Sequence, residues 1–172
     1  MLLPENAKRK IFHATLATPL GHISLVAEKE QLLSIKWLYS SDNSLKLEAD
    51  EQGATSKVLE QAKSQLDQYF LGQRKIFDLS LSPAGTSFQQ RVWHQIGKIP
   101  YGETASYKEI AEIIANKKMA RAVGQAAKSN PLIIVIPCHR LVGHSGDLTG
   151  YSGGRPAKKY LLKLEAAFDN SV

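Results

Sequence analysis

The chain opens with apolar residues that alternate with polar ones, a pattern that predicts β-strands. Two such stretches, "IFHATLATPLG" (11–21) and "HISLVAE" (22–28), follow each other directly. Pro19 and Gly21 lie where the first gives way to the second, a combination that is typical of a hairpin turn. The sequence therefore predicts an antiparallel pair of strands.

A third strand is predicted in "LLSIKWL" (32–38), where Leu33, Ile35 and Trp37 fall on one face. Residues 40–56 are polar and rich in turn formers, so we expect a surface loop there.

The hydrophobic period then changes from two to about four, which is typical of an amphipathic helix. This helix spans residues 56–71 and is stopped by Gly72. Its apolar stripe consists of Val58, Leu59, Ala62, Leu66, Tyr69 and Phe70. "IFDLSL" (76–81) alternates again and predicts a strand, and "SPAG" (82–85) is interpreted as a linker.

Two helix starts in the second half carry capping boxes, in which a hydroxyl residue is followed three positions later by Glu or Gln. Thr86 and Gln89 start a helix that ends before Pro100, and Ser106 and Glu109 start another. Asn116 then marks a short break.

The helix after this break, "KKMARAVGQAAK" (117–128), is ended by Asn130 and Pro131. Two short helices joined by a tight turn predict a helix-turn-helix, and a helical hairpin with a solvated basic face is the alternative. Four cations mark the second helix: Lys117, Lys118, Arg121 and Lys128.

A buried strand, "LIIVI" (132–136), is predicted to lead to Cys138, and a Gly-rich loop and a last helix beginning near Pro156 follow it. The elements together predict a two-part α/β chain. A small N-terminal α/β domain with an antiparallel sheet occupies residues 1–82. A mostly helical domain with the helix-turn-helix and the active-site strand occupies residues 86–170.

Charge and cysteine content narrow the function. The 22 basic and 16 acidic residues give a net charge of +6, which favours acidic partners, above all nucleic acid; a merely basic protein is the alternative. One cysteine excludes an intramolecular disulfide and a zinc site with several thiolates. No secretory segment or membrane span is visible, and we expect a cytoplasmic protein.

Cys138 is the candidate nucleophile, because His139 and Arg140 follow it directly and both favour a thiolate. Without such neighbours a free cysteine is most often a small buried hydrophobe. A histidine that acts as a base needs an orienting partner, and Glu165 lies on the apolar face of the last helix. The alternative for Glu165 is a rim carboxylate that pairs with Lys158 or Lys159.

Several ordered motifs between residues 85 and 165 resemble the O6-alkylguanine-DNA alkyltransferase family. They are "GTSFQQRVW", "IPYGETASYKEIA", "ARAVGQAAKSNP", "IPCHRLVG", "GYSGG" and "LLKLE". This resemblance implies an RNase H-like N-terminal domain. It also implies direct repair, in which Cys138 takes the alkyl group from O6 of guanine, and from O4 of thymine as well. Each molecule reacts once and uses no cofactor.

The resemblance assigns further roles to matched positions. His139 is the base acting through water, Glu165 orients it, and Asn130 braces the turn before the active-site strand. Tyr107 helps to rotate the target phosphate and donates a hydrogen bond to the flipped base, and Arg121 fills the gap in the base stack. Further DNA contacts fall to Lys117, Lys118 and Ser106, and the substrate pocket to Tyr151, Ser152, Pro137 and Gly150.

The implied partner is double-stranded DNA with alkylated bases, bound through its minor groove by a monomer that flips the base out. Some members of the family hold zinc through cysteines of the small domain. This chain has no cysteine to spare, so we predict no metal. Two other interpretations stay open: a non-catalytic module that binds alkylated DNA, and a cysteine hydrolase with turnover.

Overall fold

The structure is a computed structural model that describes residues 10–38 and 56–169. Its N-terminal part contains an antiparallel sheet of three strands that neighbour each other in chain order. These are β1 (Ile11–Thr18), β2 (Gly21–Glu28) and β3 (Gln31–Leu38). The predicted hairpin joins β1 to β2, and Gly21 has a φ of +113°, which L side chains rarely adopt. Of the predicted loop at 40–56, all but Ser56 lies outside the described residues.

The inner face of β3 differs from the predicted one. Alternation places Leu33, Ile35 and Trp37 together, but the fully buried residues are Leu32 and Ile35. A β-bulge is the reason, because the pairing with β2 passes from Ser34 to Leu32 and leaves Leu33 as the extra residue.

Helix α1 (Lys57–Phe70) packs against the sheet, as its apolar stripe predicts. The segment 76–81 is not the predicted strand, since within the described chain it makes one bridge, between Leu81 and Leu32. The side-chain amide of Gln65 takes the place of a neighbouring strand. It donates to the carbonyl of Asp78 and accepts from its N–H, both at 2.8 Å.

Helices dominate the C-terminal part: α2 (Ser87–Ile96), α3 (Tyr107–Ile114), α4 (Ala120–Lys128) and α5 (Gly154–Asp169). Both predicted capping boxes are present, at the starts of α2 and α3. The predicted break is also confirmed. Asn116 caps a short 3-10 turn, Lys117–Met119, which leads into α4, and α3 and α4 pack together as a helix-turn-helix.

The predicted strand over 132–136 is wrong. The chain forms a compact turn in which the Ile136 N–H donates to the Leu132 carbonyl at 2.9 Å. Ile134 has a φ of +70°, which a regular strand does not allow. A 3-10 turn, Cys138–Arg140, follows, and then the short strand β5 (Leu141–Val142), which pairs in parallel with β4 (Ala105–Ser106).

The sheet is connected directly to this turn. The Ile35 N–H donates to the Pro131 carbonyl at 2.8 Å, and the Ile133 N–H donates to the Ile35 carbonyl at 3.3 Å. One cluster of buried apolar residues runs from the sheet to the C-terminal helices. The predicted fold class, an N-terminal antiparallel sheet with α1 and a helical C-terminal part, is confirmed, apart from the active-site strand.

Candidate active site

Cys138 lies at the start of the 3-10 turn and is 4% exposed. Its sulfur accepts a hydrogen bond from Asn130 Nδ2 at 3.1 Å. Burial raises the pKa of the thiol to about 11, although the bond from Asn130 works in the opposite direction. The resting residue is therefore a neutral thiol rather than the thiolate expected from its neighbours, and its reaction requires a base.

Asn130 holds the turn that positions the thiol. Besides the sulfur, its Nδ2 donates to the carbonyl of Ile136 at 2.8 Å, and its Oδ1 accepts from the N–H of Leu132 at 2.9 Å. One buried amide thus spans both ends of the turn 132–136, at the position where the left-handed Ile134 needs support.

His139 and Glu165 meet as a buried pair, in the arrangement expected from sequence rather than at the rim. His139 Nε2 lies 2.7 Å from Glu165 Oε1, and both side chains are 0% exposed. Burial alone would raise the pKa of Glu165, but the hydrogen bond from His139, together with the hydrogen bonds and the positive charge of Arg140, outweighs it and lowers the pKa to about 2. Glu165 is therefore a carboxylate that only accepts, so Nε2 of His139 carries the proton.

The other ring nitrogen of His139 is the basic one. Burial lowers the pKa of His139 below its usual value, so the ring is neutral. Its Nδ1 is buried and makes no hydrogen bond with any residue that the structure describes. A neutral imidazole with a free nitrogen and a carboxylate behind it is chemically able to accept a proton and to stabilise it.

Arg140 is a structural residue whose guanidinium binds the carboxylate of the site rather than the thiol. It is buried and binds Glu165 through Nε at 2.9 Å and Nη2 at 3.1 Å. Its Nη1 also donates to the carbonyl of Ile99 at 2.6 Å. The guanidinium thus neutralises the carboxylate of Glu165, which lies behind His139.

Two further residues of the site were not predicted from sequence. The hydroxyl of Tyr69, on α1, donates to Glu165 Oε1 at 2.7 Å. The ammonium of Lys158 is buried and donates to the carbonyls of Leu141 and Thr149, and burial lowers the pKa of Lys158 to about 8. Tyr69 belongs to an ordinary apolar stripe, and Lys158 stands in "AKKY" beside a second lysine, so neither carries a signal of its own.

A cleft of about 620 Å³ lies beside α4 and is lined by three of the predicted DNA-binding residues, Tyr107, Lys117 and Arg121. Gly150, predicted for the substrate pocket, also lines it, together with Lys108, Lys128 and His144. The Tyr107 hydroxyl donates to the carbonyl of Thr149 at 2.9 Å. Gly150 has a φ of +78°, and a Cβ there would lie 2.7 Å from this hydroxyl. Lys118 is exposed outside the lining of the cleft, and Ser106 caps α3 through its hydroxyl.

The predicted pocket residues do not share one open cavity with the thiol. Tyr151 is buried, with its ring centroid 6.3 Å from that of His139, and its hydroxyl accepts from Trp37 of β3 at 3.4 Å. Ser152 is exposed and lines a cavity of about 370 Å³ together with Trp37 and Asn130. Pro137 is buried and lines a separate groove of about 730 Å³.

Among the described residues, no group of three or more His, Cys, Asp and Glu side chains could hold a metal ion. In the same part of the chain, no helix has both the length and the apolar character needed to span a bilayer.

Comparison with known proteins agrees with this geometry. Residues 87–167 match the DNA-binding domain of 6-O-methylguanine DNA methyltransferase, and residues 11–83 match the ribonuclease-like domain of the same family. The chain therefore belongs to the 6-O-methylguanine DNA methyltransferase family.

Individual relatives cover nearly the full chain. The methylated-DNA–protein-cysteine methyltransferase of Methanosarcina acetivorans is 42% identical over 91% of this chain and 99% of its own. The constitutive protein of the same name from Bacillus subtilis is 42% identical over 90% of this chain and 94% of its own. The structure of Mycobacterium tuberculosis OGT in complex with DNA superposes with a TM-score of 0.79 at 39% identity, covering 91% of this chain and 94% of that one.

Proposed function

We propose that this protein repairs DNA by moving the alkyl group of O6-alkylguanine onto Cys138, once per molecule and irreversibly. The observation that carries the proposal is the sole cysteine of the chain, a neutral thiol followed directly in sequence by a buried neutral imidazole with an ionised carboxylate behind it. O4-alkylthymine, which presents the same kind of alkyl–oxygen bond, is a second substrate.

The reaction balances with groups that the chain supplies. His139 Nδ1 takes the thiol proton, directly or through one water, and Glu165 stabilises the resulting imidazolium. The sulfur then attacks the alkyl carbon, so that a C–S bond forms as the C–O6 bond breaks. The electron pair of that bond goes to guanine, which regains a proton. The thioether has no good leaving group, and the protein is spent.

The burial of the thiol requires an extruded base. At 4% exposure Cys138 is out of reach of a nucleotide stacked in a duplex, so the target nucleotide has to leave the helix. We assign the minor groove as the side from which α4 acts, with Arg121 filling the gap that the nucleotide leaves. Tyr107 guides the flipped nucleotide, and Lys117, Lys118 and Ser106 contact the backbone.

Movement has to complete the pocket. In this structure Pro137, Gly150 and Ser152 line three different cavities, and Tyr151 is buried. Binding of the flipped base is proposed to bring the loop 142–154 and the turn together around the alkyl group.

Three coarser features complete the proposal. A domain boundary between residues 82 and 86 is supported by the two family matches, which end at 83 and begin at 87. One chain supplies every group of the site, in keeping with a monomer that acts alone. A thiol that has to stay reduced to work suits the cytoplasm.

Intact mass after incubation with duplex DNA containing O6-methylguanine tests the proposal. We expect a gain of one methylene group on Cys138, complete after one equivalent, and no gain for Cys138→Ala, which still binds the DNA. Unchanged mass with damage-selective binding would instead indicate a non-catalytic binding module. Turnover of acyl substrates without a stable adduct would indicate a hydrolase.

A further inference from the structure

The carboxylate behind the acceptor site is held from two parts of the chain. Four of its hydrogen bonds come from the C-terminal part: one from His139, two from Arg140 and one from the backbone N–H of Gly102, the last at 3.2 Å. The fifth comes from Tyr69 of α1, which packs on the N-terminal sheet.

Tyr69 binds the same oxygen of Glu165 that binds His139. Its hydroxyl donates to Oε1 at 2.7 Å, the same oxygen that accepts from His139 Nε2, and lies 3.5 Å from that nitrogen. Burial, followed by the negative charge of Glu165, raises the pKa of Tyr69 well above its usual value, so the hydroxyl keeps its proton and remains a donor. Tyr69 is 0% exposed, and its ring is fixed by Phe70, Phe77 and Tyr101.

We propose that Tyr69 is a positioning residue for the alkyl acceptor site, which acts through Glu165 to hold His139 in the neutral form that accepts the thiol proton. This inference rests on the proposed function. It makes α1, outside the DNA-binding part of the chain, a working part of the acceptor site.

The direction of the effect follows from the charges around His139. The groups that face it are Glu165 and Lys158 on α5, Arg140 on the 3-10 turn, Tyr69 on α1, and Tyr151 just before α5. Glu165 favours the imidazolium, whereas Arg140 and Lys158 oppose it. A donor to Glu165 draws off part of the carboxylate's charge, so loss of the Tyr69 hydroxyl leaves more charge facing the ring and favours its protonation.

The test compares Tyr69→Phe with a matched control, Tyr101→Phe. Both variants lose one buried hydroxyl and keep a ring of the same cluster. The hydroxyl of Tyr101 has no hydrogen-bond partner among the described residues, so its loss leaves the bonds to Glu165 in place.

Single-turnover transfer from O6-methylguanine duplex is measured from pH 5 to 8.5. For Tyr69→Phe we expect the part of the profile where the rate rises with pH to move to higher pH by about half a unit. At the lowest pH values the rate should then be about threefold below that of wild type. At the high-pH plateau it should stay within about twofold of wild type. The Tyr101→Phe profile should overlay that of wild type. An unmoved limb in Tyr69→Phe, or an equal movement in both variants, would overturn the proposal.

A second readout does not require repair at all. Titration of the His139 ring by NMR in DNA-free protein, with the signal assigned from His139→Gln, should show a higher midpoint in Tyr69→Phe than in wild type and Tyr101→Phe. If wild type fails to transfer methyl groups, the proposed function fails, while this titration still decides the role of Tyr69. Equal midpoints in the three proteins would refute that role.

Discussion

Glu165 is a full charge in the interior, and its neighbours explain why it is tolerated. An unpaired buried carboxylate costs several kcal/mol, and the usual escape is protonation. Here five hydrogen bonds, three of them from cationic or ionisable side-chain nitrogens of His139 and Arg140, keep it ionised. The same set of bonds gives His139 its orientation, so stability and reactivity depend on one carboxylate.

This arrangement predicts a specific dependence of stability on pH. The pKa of Glu165 is lowered to about 2 in the folded state, from 4.5 for an unperturbed glutamate. The stabilisation is therefore complete above about pH 4.5 and is lost as pH falls towards about 2, a loss of about 3 kcal/mol from this group. In Glu165→Gln, which leaves Arg140 without its counter-charge, we expect a free energy of unfolding about 3 kcal/mol lower at pH 7.

Urea unfolding of both proteins at a series of pH values measures this. The curve for Glu165→Gln should be flatter than that of wild type between pH 5 and pH 2. Glu60→Gln, which removes an exposed carboxylate paired with Lys63 on α1, is the control and should follow the wild-type curve. Parallel curves for Glu165→Gln and wild type would show that the carboxylate is not linked to folding in this way.

Some residues of this site can be predicted from the sequence because they stand in a short pattern of their own, and the others cannot. Cys138 and His139 are adjacent, and Glu165 interrupts an apolar helix face, so each is visible in the sequence. Tyr69 lies 96 positions from its partner Glu165. Its contact depends on how α1 and α5 pack together, which no short stretch of sequence encodes.

The secondary-structure elements that were predicted correctly are also set by local sequence patterns, and the incorrect ones are not. The helices of the C-terminal part are set by capping boxes and by Asn116, which act within four residues. The two incorrect strands, 76–81 and 132–136, have the apolar alternation or β-branched run of a strand. In the first segment, the backbone of Asp78 bonds to the side-chain amide of Gln65 on α1. In the second, the backbones of Leu132 and Ile136 bond to the side-chain amide of Asn130.

The role of Gln65 in holding the segment 76–81 can be tested. Gln65→Ala removes two hydrogen bonds to the Asp78 backbone, each worth about 1 kcal/mol, so we expect unfolding free energy to fall by about 1 to 2 kcal/mol. Amide exchange at Asp78 should accelerate more than exchange within α1. Gln61→Ala, an exposed position on the same helix, is the control. Unchanged exchange at Asp78 in Gln65→Ala would mean that other contacts hold the segment.

The surface that is proposed to bind DNA and the site that is proposed to react with it are different parts of the molecule. The cations of the cleft, Lys108, Lys117, Arg121 and Lys128, all belong to the helix-turn-helix, whereas the proposed reaction takes place behind it at a buried sulfur. A phosphate contact and a wedge in the base stack are different tasks with different physical signatures. The first releases counterions, and the second offsets the cost of unstacking.

Lys117→Ala and Arg121→Ala should therefore fail in different ways. For Lys117→Ala we expect weaker DNA binding and a slope of log K against log salt that is smaller by about 0.9, the loss of one phosphate contact. For Arg121→Ala we expect transfer from duplex DNA to fall about tenfold or more, and transfer from free O6-alkylguanine base to fall far less, because the free base needs no unstacking. Lys63→Ala, on α1 beside Glu60, should retain the wild-type salt slope. Equal losses of Arg121→Ala on duplex and free base would exclude a wedge, and a flat salt response of the wild-type protein would exclude the basic face as the DNA-binding surface.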